Sequence, residues 1–279
     1  MLTDGSGWRA RFGLLVIDKD PVAESEFWAL APAGVTAHVA RFESPRAPGS
    51  SEYGADPARA VARSPDVARG LEFLGQMRLD AICLCFTTSS FLGGHGSDGR
   101  FADEAAAGAR GIPVITAASA ATEAMTALGV RRPFLVSPPW FKDGILDAAR
   151  RYFAEGGYQV TGQLRHDLGP GWRELQPWEV WDAGGQWEIR PEDVYHQVRR
   201  AIPAGADGVL IAGNGFRSQP AIEPLEADLG LPVITSNQAC VWKCLRTAGV
   251  AARVPGAGRL LSGAVPAAPW RGGGLASAS

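Results

Sequence analysis

Short runs of apolar residues alternate with longer stretches of helical character along this chain. The apolar runs are rich in β-branched residues and include FGLLVID, VTAHVARF, DAICLCF and PVIT, then RPFLVS, YQVTGQL, DGVLIAG and a second PVIT. The stretches between them are rich in Ala, Leu and Arg. Apolar strands that alternate with helices are typical of a parallel sheet with helices on its faces. The pattern therefore predicts an α/β fold.

The second half of the chain repeats the order of elements in the first. The hexapeptides GIPVIT and GLPVIT each precede a helical stretch that ends in Gly-Val, and the strand before each begins at an aspartate, Asp80 or Asp207. Two consecutive elements that recur in order indicate a duplicated α/β unit. We predict one lobe from residues 1–117 with 236–279 and a second from 118–235. The crevice between the lobes, at the carboxyl ends of both sheets, is the expected binding site.

The composition indicates a soluble globular protein that acts on small molecules. The chain has 279 residues, of which 46% are hydrophobic and 20% charged, and a net charge of -2. Both signs of charge are scattered, so we expect no surface for nucleic acid and no polybasic segment for a membrane. The apolar run FGLLVI is too short to span a bilayer. We therefore expect a cytoplasmic location and a small-molecule partner.

The four cysteines form two pairs. Cys83 and Cys85 alternate along a predicted strand and share one face, while Cys240 and Cys244 lie one helical turn apart. This number and spacing do not suit a disulfide framework. A metal site could join the two pairs, but neither pair has a histidine or carboxylate at ligand spacing. The sequence therefore favours buried reduced thiols, and we expect no metal ion.

A tryptophan-rich insert interrupts the second half. Residues 167–187 read DLGPGWRELQPWEVWDAGGQW and contain four of the nine tryptophans. Such a segment could be a lid that shields a site from water, or a surface loop held in place by its aromatic side chains. The sequence leaves both interpretations open.

Two strand-to-helix loops carry groups that suit a carboxylate ligand. FTTSSFLGGHGSDG follows the strand DAICLC, and GNGFRS follows the matching strand DGVLIA. Hydroxyls and free backbone N–H groups at such turns bind anionic oxygens, and an arginine adds a fixed cation. In a duplicated fold the two loops face each other. Taken singly, each could equally be an ordinary helix cap or a tight turn.

Besides these loops, the chain contains the PVIT repeat and the segments FGLLVIDKDPVAESEF and LGVRRPFLVSPPW. In all of these motifs it resembles the arylmalonate decarboxylase and maleate isomerase branch of the aspartate/glutamate racemase superfamily. The resemblance covers residues 12–262 and fails mainly at the tryptophan-rich insert. It implies two pseudo-symmetric flavodoxin-like lobes with a cofactor-free site between them. Members act on small carboxylates through enediolate-like or covalent intermediates, and they are often dimeric or larger, so the resemblance is compatible with a homo-oligomer.

The same resemblance assigns roles to several residues. Thr87 and Thr88 match the hydroxyl pair of the family's oxyanion pocket, and the backbone of Gly213 and Asn214 matches its other wall. Arg217 falls where the isomerases tend to have arginine. These assignments predict that a carboxylate is bound from both lobes.

Departures from the family pattern change the predicted chemistry. The family's cysteine positions correspond to Phe86 and Gly213, so the resemblance implies that both catalytic thiols are missing. Cys85 is adjacent, but a shift of one residue along a strand turns a side chain to the opposite face, so we expect that Cys85 does not substitute. The substrate-binding tyrosine of the decarboxylases falls near Pro139 or Trp140, neither of which has a hydroxyl. An asparagine of the isomerases falls at Asp20.

Without a thiol, proton transfer needs another group whose pKa can be tuned toward neutrality, and Asp20 and His95 are the candidates. Asp20 follows the first strand, where burial would raise its pKa, but it could equally cap the next helix. His95 could swing over the site or remain a solvated surface histidine. Glu24 and Glu26 either orient these groups or are solvated helix charges. The substrate-binding candidates are Phe86, Thr87, Thr88, Ser89, Trp140, Gly213, Asn214 and Arg217.

Three functions follow from these residues. The leading hypothesis is a cofactor-independent, decarboxylase-like lyase or isomerase. It would stabilise the enediolate of a small carboxylic acid, with or without an aromatic group, and would use no cysteine nucleophile. A hydrolase or hydratase would use the same pocket, with Asp20 or His95 activating water. The third alternative is a carboxylate-binding protein without catalysis. We expect no cofactor, because the sequence has neither a dinucleotide-binding glycine pattern nor a phosphate-loop motif.

Overall fold

The structure is a computed structural model that describes residues 7–44, 46 and 57–263. The described residues of the first half contain four strands, β1 (Ala10–Ile17), β2 (Val35–Phe42), β3 (Ala81–Cys85) and β4 (Val114–Thr116). Its helices are α1 (Ala23–Leu30), α2 (Pro57–Ala62), α3 (Pro65–Gly75), α4 (Thr87–Gly93), α5 (Ser97–Gly108) and α6 (Ala117–Ala127). The strands form one parallel sheet in the order β2-β1-β3-β4.

The second half builds a second parallel sheet. Its strands are β5 (Pro133–Ser137), β6 (Gly162–Arg165), β7 (Gly208–Ile211) and β8 (Val233–Thr235). Its helices are α7 (Asp143–Glu155), α8 (Pro177–Asp182), α9 (Gly185–Glu188), α10 (Pro191–Ala201), α11 (Ile222–Leu229) and α12 (Ser236–Thr247), and three short 3-10 helices are Pro170–Trp172, Gln219–Ala221 and Arg259–Leu261. The order β6-β5-β7-β8 repeats that of the first sheet.

The predicted α/β class with two parallel sheets is confirmed. Each sheet has the 2-1-3-4 order with which flavodoxin-like sheets begin. Residues 1–6 and 264–279 of the predicted lobes lie outside the described part of the chain, and the lobe boundaries stay a prediction. Among the described residues, no helix combines the length and the apolar character needed to cross a membrane.

The two PVIT segments have the same local role in each sheet. Val and Ile form a short buried strand, and the threonine that follows caps the next helix. Thr116 Oγ1 accepts a hydrogen bond from the Ser119 N–H (3.2 Å), and Thr235 Oγ1 accepts one from the Gln238 N–H (3.1 Å). A threonine at this position satisfies N–H groups that the first helical turn leaves without partners. The repeat is therefore a strand end joined to a helix cap.

One hydrophobic core joins the two sheets. Phe12, Leu14 and Val16 of β1 belong to a buried cluster that also contains Leu135 of β5 and Leu210 of β7. Helices α6 and α12 pack against each other within this cluster. Because one continuous core spans both halves, it fixes the position of one sheet relative to the other. The crevice between the sheets therefore has a defined shape.

Candidate functional site

A cavity opens where the loops that follow β1, β3, β5 and β7 meet. The first half contributes Asp20, Thr87 and Thr88 to its wall, and the second half contributes Trp140 and Asn214. Since all strands within each sheet are parallel, these loops lie at the carboxyl ends of the strands. The two loops that the duplicated pattern predicted to face each other therefore do share one cavity.

Asp20 lies between β1 and α1 and is only 1% exposed. Its Oδ1 atom accepts hydrogen bonds from the backbone N–H groups of Val22 (2.7 Å) and Ala23 (3.1 Å) at the start of α1. Its Oδ2 atom is buried and has no hydrogen-bond partner among the described residues. Burial raises the pKa of Asp20 to about 6, against the smaller opposing effect of the two N–H groups. One oxygen therefore caps a helix, the other has no partner among the described residues, and Asp20 is one of the residues that line the cavity.

The threonine loop forms one wall of the cavity. The extended backbone at Phe86 ends β3, and α4 begins immediately afterwards, so Thr87 and Thr88 are buried at the cavity. Ser89 is also buried, but its hydroxyl donates to the Phe86 carbonyl (3.2 Å) and it does not line the cavity. Behind this loop, Ser90 donates to Asp98 Oδ1 (2.6 Å). The structure therefore places two of the three predicted hydroxyl residues at the cavity.

The loop after β7 forms the opposite wall. Gly213 has φ +102°, in the left-handed region that favours glycine, and a Cβ atom there would lie 3.1 Å from Pro138 Cγ. The Gly213 N–H donates to Ser236 Oγ (3.1 Å), so this N–H already has a partner. Asn214 Nδ2 donates to Asn237 Oδ1 (2.8 Å), and Asn214 Oδ1 is buried and without a partner among the described residues. The donor predicted at Gly213 is thus engaged, and Asn214 carries the polar groups of this wall.

A buried glutamate links α1 to the asparagine wall. Glu26 Oε1 accepts hydrogen bonds from the N–H groups of Ser218 (2.7 Å) and Gln219 (2.9 Å), and Oε2 accepts one from Asn237 Nδ2 (2.8 Å). Asn237 Nδ2 also donates to the Asn214 carbonyl (2.8 Å). Burial raises the pKa of Glu26. Glu26 is therefore not a solvated helix charge, because it holds the loop that carries Asn214.

A protein-family model described as "Arylmalonate decarboxylase" matches residues 59–261, well over half of the chain. The chain belongs to the arylmalonate decarboxylase family. It is 27% identical over 168 residues to a maleate isomerase from Geobacillus stearothermophilus, which covers 60% of this chain and 61% of that protein. It is 29% identical over 155 residues to the arylmalonate decarboxylase of Bordetella bronchiseptica, covering 54% and 59%. The matched region thus spans about three fifths of these curated relatives.

The fold of this family member also matches solved structures. The crystal structure of a maleate isomerase from Pseudomonas putida S16 with maleate aligns with a TM-score of 0.75. The alignment covers 91% of this chain and 98% of that chain at 23% sequence identity. At this identity the likeness supports the two-lobed fold alone.

In this arylmalonate decarboxylase family member, Cys85 lines the cavity together with Phe86. The two side chains lie on opposite faces of the sheet, as expected, because Cys85 packs in the core cluster between the sheets and Phe86 packs in a separate cluster with Leu84. Both nevertheless reach the cavity, which lies at the carboxyl end of β3. That Cys85 does not replace a catalytic thiol stays a prediction. The four cysteines are all free and buried.

Cationic and aromatic side chains that the sequence did not place also line the cavity of this family member. They include Arg46, Lys142, Trp178 and Trp181. Arg46 donates to Asp182 Oδ1 (2.6 Å), and its guanidinium lies 5.8 Å from the Trp178 ring. Helix α8 of the tryptophan-rich insert thus covers one side of the site. The repeat offers a signal for Lys142, because its loop follows β5 as the Asp20 loop follows β1, but no comparable signal points to Arg46.

Two predicted site residues lie elsewhere in the family member's structure. The His95 N–H donates to Glu155 Oε2 (3.0 Å), and its ring packs against Tyr152 with centroids 5.2 Å apart. Neither His95 nor Arg217 lines the cavity. Arg217 is partly buried in the loop beyond Asn214. Their catalytic and substrate-binding roles stay predictions, while the cations that line the cavity include Arg46 and Lys142.

Proposed function

We propose that this protein is a cofactor-independent lyase or isomerase that acts on a small carboxylic acid. The observation that carries the proposal is Asp20, a buried carboxyl group at the cavity wall with a pKa of about 6 and one oxygen without a partner among the described residues. A group with such a pKa can hold or release a proton near neutral pH, as general acid–base catalysis requires. Membership of the family, and the maleate present in the relative's crystal structure, support a carboxylic acid as substrate.

The polar walls suit the anion that such a reaction produces. Thr87 and Thr88 line one wall of the cavity and Asn214 lines the other, and the donors proposed are the two hydroxyls and the backbone N–H of Asn214, since its side-chain Nδ2 already donates to Asn237. Donors already in place where negative charge develops contribute about 3 kcal/mol each to transition-state stabilisation. We assign these three groups to the carboxylate that becomes the enediolate.

The remaining wall indicates what else the substrate carries. Lys142 supplies positive charge beside the Arg46–Asp182 ion pair, and Trp140 and Trp181 supply an apolar surface, with ring centroids 5.0 Å apart. A second carboxylate would be attracted to Lys142, and an aryl or alkyl group would pack against the indoles. A malonate-type acid with an apolar substituent has both features.

The proposed chemistry balances with one acid group. The scissile carboxylate of a malonate-type acid leaves as CO₂, and its bonding electron pair becomes part of the enediolate. Protonated Asp20 then donates its proton to the carbon, and solvent returns a proton to Asp20. For an isomerisation, ionised Asp20 removes the α-proton and returns it to the rearranged carbon. Either reaction uses the same enediolate pocket.

No cysteine acts as a nucleophile in this proposal. Gly213 occupies one position that the family resemblance assigns to cysteine, and its φ of +102° strains any L side chain there. Cys85 does reach the cavity, but its hydrogen bond to Cys240 raises its pKa well above the usual value. A thiol with a raised pKa stays protonated and is a poor nucleophile.

The test is turnover of malonate-type acids, and of unsaturated acids that carry a removable α-proton, in water labelled with both deuterium and heavy oxygen. We expect deuterium at carbon in the product, and an Asp20→Asn variant slower by about 100-fold or more, since general acid–base groups contribute 10²–10⁴-fold. Thr87→Val and Thr88→Val should each lower kcat by about 100-fold. Ser89→Ala is the matched control, because this buried hydroxyl in the same loop does not line the cavity.

Three results would contradict the proposal. Unchanged turnover in the Asp20 and threonine variants would place the site elsewhere. Labelled oxygen from water in the organic product would contradict it as well, indicating a hydrolase if no deuterium is bound to carbon and a hydratase if deuterium is bound to the adjacent carbon. Tight binding of a carboxylic acid with no turnover across the panel would indicate a binding protein.

A further inference from the structure

Three cysteine sulphurs converge beside the cavity and form what we call the thiol cluster (Cys83, Cys85 and Cys240). Their Sγ atoms all lie within 4.8 Å of one another, and all three residues are buried. Cys83 and Cys85 alternate along β3 and therefore share a face, and α12 packs against β3 and brings in Cys240. The two cysteine pairs of the sequence thus meet in space.

We propose that the thiol cluster binds one Zn²⁺ ion through three thiolates, with the fourth coordination position directed to the cavity. Tetrahedral zinc with Zn–S bonds of about 2.3 Å needs sulphurs about 3.8 Å apart. The sulphurs of the cluster already lie within 4.8 Å of one another, so small side-chain movements bring them to that spacing. Three protein ligands and one open position are the arrangement of zinc sites that accept an external ligand.

The donor set and the local charge select a soft divalent ion. Thiolates favour Zn²⁺ and Cu⁺ over hard cations such as Mg²⁺ and Ca²⁺. Three thiolates with Cu⁺ leave a net charge of about -2, whereas Zn²⁺ leaves about -1. Asp20 lines the same cavity as Cys85, so an acidic group already lies near the cluster. Because uncompensated charge is costly to bury, the divalent ion fits this position better.

Metal binding at the cluster exchanges protons for a cation. Thiolates are the ligands, so the thiols of Cys83, Cys85 and Cys240 lose their protons as the ion binds. Asn214 Nδ2 lies 3.7 Å from Cys240 Sγ, at the edge of the cluster. The exchange replaces thiol protons by one cation and changes no oxidation state.

The open coordination position lies on the side of the cluster that reaches the cavity. Among the three cysteines, only Cys85 belongs to the wall of that cavity. The ion would enter there, and water or an anionic ligand would complete its coordination. Cys244 lies one turn further along α12 and neighbours Cys83, but it is not within reach of all three sulphurs. This site goes beyond the proposed function, in which no step uses a metal ion.

The experiment titrates the reduced, metal-free, full-length chain without a polyhistidine tag with Co²⁺ as a spectroscopic probe. We expect sulphur-to-cobalt charge-transfer absorption that saturates at one equivalent and disappears when Zn²⁺ is added. Cys83→Ser, Cys85→Ser and Cys240→Ser should each weaken binding by about 100-fold or more, since each removes a ligand. Cys244→Ser is the matched control and should change the affinity by less than about threefold.

A second measurement uses the unaltered protein and does not depend on how the variants fold. In weakly buffered solution, Zn²⁺ binding should release two to three protons per ion, about the number of thiols that ionise. No charge-transfer absorption at one equivalent of Co²⁺, or no proton release with Zn²⁺, would overturn the proposal. If Cys244→Ser weakened metal binding as much as the three ligand variants do, the assignment of three cysteines as the ligands would be wrong. None of these readouts depends on turnover, so they are independent of the proposed function.

Discussion

Replacing Asp20 by asparagine should stabilise this protein at neutral pH while it slows the proposed reaction. Asparagine keeps an Oδ1 acceptor for the N–H groups of Val22 and Ala23. It also removes the need to ionise a carboxyl group that is 1% exposed. The structure therefore predicts opposite effects of one substitution on stability and on catalysis, as expected where a strained site serves function.

The magnitude follows from the pKa of Asp20. Burial raises this pKa from 3.8 to about 6, so the native protein binds the proton more tightly than the unfolded chain. The stabilisation that protonation provides is complete below pH 3.8 and is lost as the pH rises through about 6. At 1.36 kcal/mol per pKa unit, wild type should lose about 2 to 3 kcal/mol relative to the variant between pH 4 and pH 7.

The assay is urea unfolding of both proteins at pH 4 and pH 7. The quantity compared is the difference in free energy of unfolding between variant and wild type, because the other carboxyl groups cancel in that difference. We expect the difference to favour Asp20→Asn more strongly at pH 7. Asp18→Asn, in the same loop but outside the cavity, is the control. A difference that is equal at both pH values, or larger at pH 4, would refute the argument that burial raises this pKa.

Three further substitutions test the walls of the cavity. Glu26→Gln should lower the free energy of unfolding by about 2 kcal/mol, because its amide would face another donor at Asn237. Glu24→Gln is the control, because Glu24 forms an exposed ion pair. Equal effects of the two variants in chemical denaturation would argue against the role of Glu26 in holding the Asn214 loop. Trp181→Ala should raise KM for an aryl-substituted acid, whereas Trp187→Ala, at a 61% exposed residue, should not; equal KM values would remove Trp181 from the binding wall. Gly213→Ala should cost about 1 to 3 kcal/mol in thermal unfolding, and a neutral result would exclude strain at that turn.

The sequence predicts the strands and helices, because these depend on the local pattern of apolar and polar residues. Buried strands alternate with helices, and the repeated PVIT segments mark corresponding strands of two sheets. Once the sheets are known to be parallel, the loops after corresponding strands must meet at one edge. That is why Asp20, Thr87 and Asn214 could be assigned to one crevice from the sequence alone.

The rest of the site depends on contacts between distant parts of the chain. Arg46 and Trp181 line the cavity, but the sequence pattern of their segments does not show where those segments lie relative to the sheets. The ion pair between Arg46 and Asp182 is likewise a contact between distant parts of the chain. Strand alternation correctly separates Cys85 from Phe86, but it does not show that both residues reach the cavity at the end of β3. His95 shares its loop with the threonines but turns toward α7.

The two halves of the molecule contribute different chemistry to one cavity, and this difference bears on the proposed reaction. Asp20 follows β1, and the corresponding loop after β5 supplies Trp140 and Lys142, an indole and an ammonium group, instead of a second carboxyl. A racemase that removes and returns a proton on opposite faces needs an acid–base group on each side of the carbon. With the carboxyl on one side and an aromatic wall on the other, the proposed enediolate would be protonated from the Asp20 side, which favours a single enantiomer of product and a lyase or isomerase over a racemase.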